Sequence, residues 1–132
     1  MEIQYHKNGA LPKHDQIFVF GSNLAGRHGA GAARQALKYG ARYGRGMGLV
    51  GLTYAIPTKN ADFEVLPLTT IAAYVDRFTK FAREHPEVTF FLTAIGTGLS
   101  GYSHKDIAPL FKPTLKNISY PDCWKAYLES VE

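Results

Sequence analysis

Two short apolar runs each lead directly into a glycine-rich turn, and this pairing constrains the chain more than any other feature. The first is Ile17-Phe18-Val19-Phe20, followed by Gly21-Ser22-Asn23-Leu24-Ala25-Gly26-Arg27-His28-Gly29-Ala30-Gly31. The second is Leu92-Thr93-Ala94-Ile95, followed by Gly96-Thr97-Gly98-Leu99-Ser100-Gly101-Tyr102. A continuous apolar run reads as a strand covered on both faces. Glycine has no Cβ, so its N–H can approach a ligand closely and its φ can be positive. Where such a turn opens a helix, unpaired N–H groups and the positive end of a dipole attract phosphate. Two such turns in one small domain point to a diphosphate gripped from both sides.

The remaining segments alternate in type. Residues 2–5 read as an edge strand and Gly9 to Gln16 as a loop. Ala30 to Tyr39 is alanine-rich, lacks proline and stops at Gly40, which predicts a helix. Leu49 to Ile56 reads as a strand stopped by Pro57. Leu68 to Glu84 carries the strongest helical pattern, with Ile71, Tyr74, Val75, Phe78 and Phe81 or Ala82 at helical spacing. Thr69 or Thr70 is its expected cap. Val88 to Ala94 reads as a strand, Ser103 or Lys105 to Phe111 as a short helix, Ile118 to Tyr120 as a strand, and Asp122 to Val131 as a closing helix. This alternation predicts an α/β sandwich on a mixed, largely parallel sheet, with both glycine turns at the carboxyl edge where such sheets bind ligands. At 132 residues the chain is expected to form one domain, 1–132.

Charge and cysteine narrow the function classes. A formal net charge of +4 suits an anionic ligand but is too small to argue nucleic acid by itself. Cys123 is the single cysteine, so an intrachain disulfide and a CxxC metal knuckle are both excluded. Its place beside Tyr120 and Trp124 predicts a packed thiol rather than a nucleophile. No histidine lies at metal-ligand spacing, and no metal or cofactor is expected. The start of the chain shows no apolar signal region, and no apolar run nears the roughly 20 residues of a membrane helix, so a cytoplasmic setting is expected.

Gly96-Thr97-Gly98-Leu99-Ser100-Gly101 matches G-x-G-x-x-G in letters. It sits late in the chain, with no second βαβ unit and no acidic residue ending a strand about 20 residues on, so a dinucleotide fold is disfavoured. A G-x-S-x-G nucleophile elbow fails at Tyr102. Asn23 reads either as an Asx-turn residue or as an amide orienting a ribose hydroxyl. His28 reads as a solvated loop residue, or as a donor or general acid beside phosphate. Tyr102 and Phe111 belong to the core or rim, or stack on a base or sugar. Arg27, Arg42, Arg45 and Lys38 leave a second function class open, a non-catalytic RNA- or protein-binding module with a basic face.

Together these residues resemble the macro domain, the family that binds ADP-ribose. Its first signature, a strand, an asparagine and a glycine cluster opening a helix, is matched by Phe20-Gly21-Ser22-Asn23 and His28-Gly29-Ala30-Gly31-Ala32-Ala33. Its second, a strand and a glycine turn ending in tyrosine, is matched by Ala94-Ile95-Gly96-Thr97-Gly98-Leu99-Ser100-Gly101-Tyr102. The resemblance spans roughly residues 17–120. It implies a three-layer α/β/α sandwich in which Gly21, Ser22, Asn23, Gly29, Ala30, Gly31 and Ala32 face one side of the ligand. Gly96, Thr97, Gly98, Leu99, Ser100, Gly101 and Tyr102 would wrap the other side, with Asn23 by the distal ribose.

The resemblance also frames the chemistry. The commonest hydrolytic branch carries an aspartate where this chain has Ala33. The branch that removes terminal ADP-ribose from carboxylates pairs a lysine with an aspartate. Tyr54-Ala55-Ile56-Pro57-Thr58-Lys59 is similar to its lysine segment, whereas the aspartate position holds Ser100. The pattern is closest to that branch. It implies an ADP-ribosyl hydrolase or an ADP-ribose-1″-phosphate phosphatase with Asn23, Lys59, His28 and Ser100 as catalytic candidates. Lys59 would attack C1″ of the distal ribose, and His28 would protonate the leaving group. ADP-ribose or a related nucleotide is the expected ligand, carried on a protein or nucleic acid.

Overall fold

The computed structural model describes residues 2–129. Six strands form one sheet: β1 (Gln4–His6), β2 (Ile17–Asn23), β3 (Gly48–Val50), β4 (Thr53–Lys59), β5 (Phe90–Leu92) and β6 (Ile118–Pro121). Among the described residues, α1 (Gly31–Ala36), α2 (Leu68–Glu84) and α3 (His104–Ile107) lie between strands, and α4 (Lys125–Leu128) follows β6. The spatial order is β1-β6-β5-β2-β4-β3. Every pairing is parallel except β3 with β4. The sheet is therefore mixed and largely parallel, as the alternation of elements predicted.

Strand residues alternate between two cores. Ile17, Val19, Tyr54, Ile56, Phe90 and Leu92 face the larger one, packed with Ile71, Val75, Phe78 and Ala82 of α2 and with Phe111 and Trp124. Phe18, Phe20, Ala55 and Phe91 face the smaller one, covered by Ala36 and Ala41. Small residues on α1 let that helix lie close to the strands. Helices on both faces force the continuous apolar runs of β2 and β5, because neither face meets water.

Element positions differ from the sequence reading in several places. The edge strand covers residues 4–6 rather than 2–5, and β5 keeps only three residues of the expected Val88–Ala94 strand. The expected Leu49–Ile56 strand is two antiparallel strands, because Gly51 at φ +59° turns the chain back on itself. Pro57 does not stop β4, which continues to Lys59. It lies past the last β3 pair, Gly48↔Ala55, and just before a register slip against β2 at Ser22/Asn23, where an absent N–H is tolerated.

Helix α2 has the expected bounds, but Pro67 occupies the cap position and no threonine side chain caps it. The expected Ala30–Tyr39 helix becomes α1 plus a 3₁₀ turn, Leu37–Tyr39, closed by Gly40 at φ 107°. Ser103 and Asp106 form a reciprocal capping box at α3. The closing helix is a 3₁₀ turn, Asp122–Trp124, followed by α4; the expected continuation through Ser130 and Val131 lies outside the described residues. Cys123 is exposed rather than packed, because Trp124 takes the inward position. Partial burial and the neighbouring Asp122 carboxylate push its thiol up, which disfavours the thiolate a nucleophile needs. No helix among the described residues is long and apolar enough to cross a membrane.

Candidate functional site

Because β1, β6, β5, β2 and β4 run parallel to one another, their carboxyl ends share one edge of the sheet. A cleft of about 790 Å³ opens there, within the usual size range of small-molecule sites. It runs from His6 at the end of β1 and Asn8 and Leu11 after it, past Thr93 to Ser100 after β5 and Gly21 to Asn23 at the end of β2, to Thr58 and Lys59 at the end of β4 and Phe63 beyond it. The two glycine turns are its walls. Gly29, Ala30, Gly31 and Ala32 line one part, and Gly96, Thr97, Gly98, Leu99 and Ser100 another.

The first turn is shaped from within. Asn23 is buried, and its side-chain Oδ1 accepts the Arg27 N–H at 2.9 Å while its Nδ2 donates to the Arg27 carbonyl at 2.7 Å. It is thus an Asx-type turn residue, with one N–H and one lone pair left to face the cleft. The segment after Gly40 braces the turn from behind. The Ser22 hydroxyl donates to the Gly46 carbonyl, and the Gly44 N–H donates to the Gly26 carbonyl at 3.0 Å. A Cβ on Gly46 would stand 2.1 Å from the Asn23 carbonyl oxygen, so only glycine fits.

His28 belongs to this brace. It is fully buried, with Nε2 2.8 Å from the Arg42 carbonyl and its ring edge-on to Phe20. A solvated surface histidine is ruled out, and the ring is not part of the cleft lining. Sequence could not show this, because the burial depends on the 41–47 segment folding back over the turn.

Gly29 and Gly98 have no positive φ, and a Cβ on either would meet nothing within 4 Å. Nothing within the protein demands glycine at these two positions. Both line the cleft, and both leave open the space a ligand beside the main chain would fill.

The second turn is tied to β4. Ser100 Oγ lies 2.8 Å from Thr58 Oγ1, and the Thr58 hydroxyl reaches the Ser22 carbonyl at 3.3 Å. This chain of hydroxyls crosses the cleft floor between the ends of β2 and β4 and the second turn. Ser100 lines the cleft, but its hydroxyl is already engaged. Gly101 and Tyr102, expected in the site, are not in the cleft lining; the Tyr102 hydroxyl donates to the Leu66 carbonyl at 2.6 Å and its ring packs on the larger core. Phe111 is fully buried in that core.

Lys59 ends β4, half-buried, inside the cleft lining. Arg27 lines the cleft as well, while Arg42, Arg45 and Lys38 are exposed outside it. At the β1 end the His6 ring stacks on Phe91 with centroids 3.7 Å apart and planes 19° apart, beside Phe18 and Leu11. Burial lowers the His6 pKa to about 4, so this ring is neutral near pH 7.

No family model matches the sequence, and no curated protein matches it. Among solved structures, the macrodomain of Mycobacterium tuberculosis DarG superposes with a TM-score of 0.63 at 19% identity, covering 91% of this chain and 95% of that one. A protein of unknown function from Bacteroides thetaiotaomicron superposes with a TM-score of 0.60 at 13% identity, covering 92% and 98%. The fold is that of a macrodomain. Within the macrodomain fold, the cleft-lining residues not expected from sequence include His6, Asn8, Leu11, Phe18 and Phe91 at one end and Thr58 and Phe63 at the other. His6, Asn8 and Leu11 carry no motif and reach the site because β1 pairs with β6, whereas Phe18 and Phe91 are strand residues of β2 and β5. Thr58 directly precedes Lys59, and Phe63 lies four residues after it on the hairpin that follows β4.

Proposed function

We propose that this chain binds ADP-ribose across the cleft and releases it from a linked group. The observation that carries the reading is the pair of glycine turns walling one cleft at the carboxyl edge of a macrodomain fold, with Lys59 in the lining. The diphosphate would lie between Gly29–Ala32 and Gly96–Ser100, where backbone N–H groups meet oxyanions in charge-assisted hydrogen bonds. The adenine would take the His6 end, with its aromatic and aliphatic lining, and the distal ribose the Lys59 end.

The Lys59 amine would attack C1″, forming a C–N bond as the bond to the linked group breaks and that group leaves with a proton. Water then opens the adduct, freeing ADP-ribose and restoring the amine. Asn23 would meet the ribose through its unused lone pair and N–H. Ser100 would position the second turn through Thr58.

A thermal-shift screen with ADP-ribose, NAD, AMP and short RNA ranks this reading against an RNA-binding module. ADP-ribose is expected to raise Tm most; a shift with RNA alone, weakening steeply with salt, would favour the basic face instead. With ADP-ribosylated protein as substrate, Lys59→Ala is expected to lower release of ADP-ribose, read by mass spectrometry, by about 10³-fold. Its affinity for free ADP-ribose should change little. Unchanged turnover would remove Lys59 from the chemistry.

A further inference from the structure

The hairpin after β4 holds a residue that folding does not require. Lys59 bridges Val65, and the Asn60 N–H donates to the Glu64 carbonyl at 2.8 Å, leaving a three-residue loop, 61–63. The Phe63 N–H donates to the Asn60 carbonyl at 3.1 Å, closing a turn whose last loop residue must be left-handed. Asn60 locks the loop further: its Oδ1 accepts the Asp62 and Glu64 N–H groups at 2.9 and 3.0 Å, and its Nδ2 donates to Glu64 Oε1 at 3.0 Å. Glycine or asparagine is the usual occupant of such a position. Here it is a phenylalanine at φ 64°, the one non-glycine residue with positive φ among the described residues.

This strain is not repaid by burial, because Phe63 is 48% exposed. It does line the cleft, on the same hairpin as Lys59. A strained residue at a site rim calls for a functional reason. The second turn adds Leu99, 78% exposed, to the same lining. No Asp or Glu is found among the described residues that line the cleft; Arg27 and Lys59 are its full charges. Asp62 and Glu64 flank Phe63 in sequence but stay outside the lining. This end therefore offers a ring face, an aliphatic side chain and positive charge. It suits a flat, neutral group.

Resting on the reading above, we propose that Phe63 selects the group carried on C1″ of the distal ribose, stacking on a flat neutral ring there. Phe63 is a specificity-determining residue: it touches the departing group, while the turns hold the diphosphate.

The test is calorimetry with three probes: ADP-ribose and its 1″-deoxy-1″-methyl and 1″-deoxy-1″-benzyl analogues, whose C–C link resists hydrolysis. Wild type is expected to prefer the benzyl over the methyl analogue by about five- to ten-fold, the usual size of an aromatic pair. Phe63→Gly should abolish that preference and leave ADP-ribose affinity within about two-fold. Its Tm should not fall, because glycine suits the left-handed position. Phe63→Tyr should restore the preference. If wild type binds ADP-ribose but shows no benzyl preference, or if Phe63→Gly keeps it, the inference is overturned while the binding reading stands. If wild type binds none of the probes, the binding reading fails and this one with it.

Discussion

Residues of one chemical type take different places in this molecule, and His6 and His28 show why. Both are histidines next to aromatic rings. His28 is sealed behind the first turn on the Arg42 carbonyl, whereas His6 stacks on Phe91 in the cleft, with Nδ1 2.8 Å from Ser119 Oγ. Burial lowers the His6 pKa to about 4, below the ordinary value of about 6.5. Between these values the unfolded chain binds a proton that the folded chain refuses, so stability rises with pH across that window. Tm is expected to fall as pH drops from 7 to about 4.5, and His6→Gln should flatten part of that fall. A His6→Gln profile parallel to wild type would show that other groups set the acid limb. Neither histidine's place was legible in sequence, because both depend on segments distant in the chain. Asn23 was half legible: its turn role follows from its position after a buried strand, but the return bonds to Arg27 needed coordinates.

At the scale of elements, helix α2 was the most legible part of the molecule. Its apolar stripe, recurring every three to four residues, predicted both its bounds and its buried face. Phe78 sits at the centre of that face, against Tyr54 at 5.1 Å, Phe90 at 5.4 Å and Phe111 at 6.2 Å between ring centroids. Phe78→Ala is expected to cost about 3–5 kcal/mol, read as a lower denaturation midpoint with an unchanged slope. A loss near zero would mean the face is not packed as described. The short elements were less legible. Leu49 to Ile56 reads as one strand because its apolar residues run on, and only the left-handed Gly51 turns it into a hairpin. The Asn60–Glu64 loop lacks the glycine that marks such turns, so sequence rules passed over Phe63.

At the scale of the whole molecule, the alternation of strands and helices dictated a largely parallel sheet, and parallel strands put their carboxyl ends on one edge. The position of the two glycine turns was therefore legible as soon as both were seen to follow strands. The sheet order was not, since nothing local says that β1 pairs with β6 and so brings His6 and Leu11 to the far end of the cleft. The central claim is that the two turns close on one diphosphate. Gly98→Val probes it most directly, because a Cβ there meets no protein atom within 4 Å and the φ is not positive, so the fold is expected to hold. Titration calorimetry with ADP-ribose is expected to show affinity reduced by about ten-fold or more at an unchanged Tm. Wild-type affinity in a folded Gly98→Val protein would contradict the account.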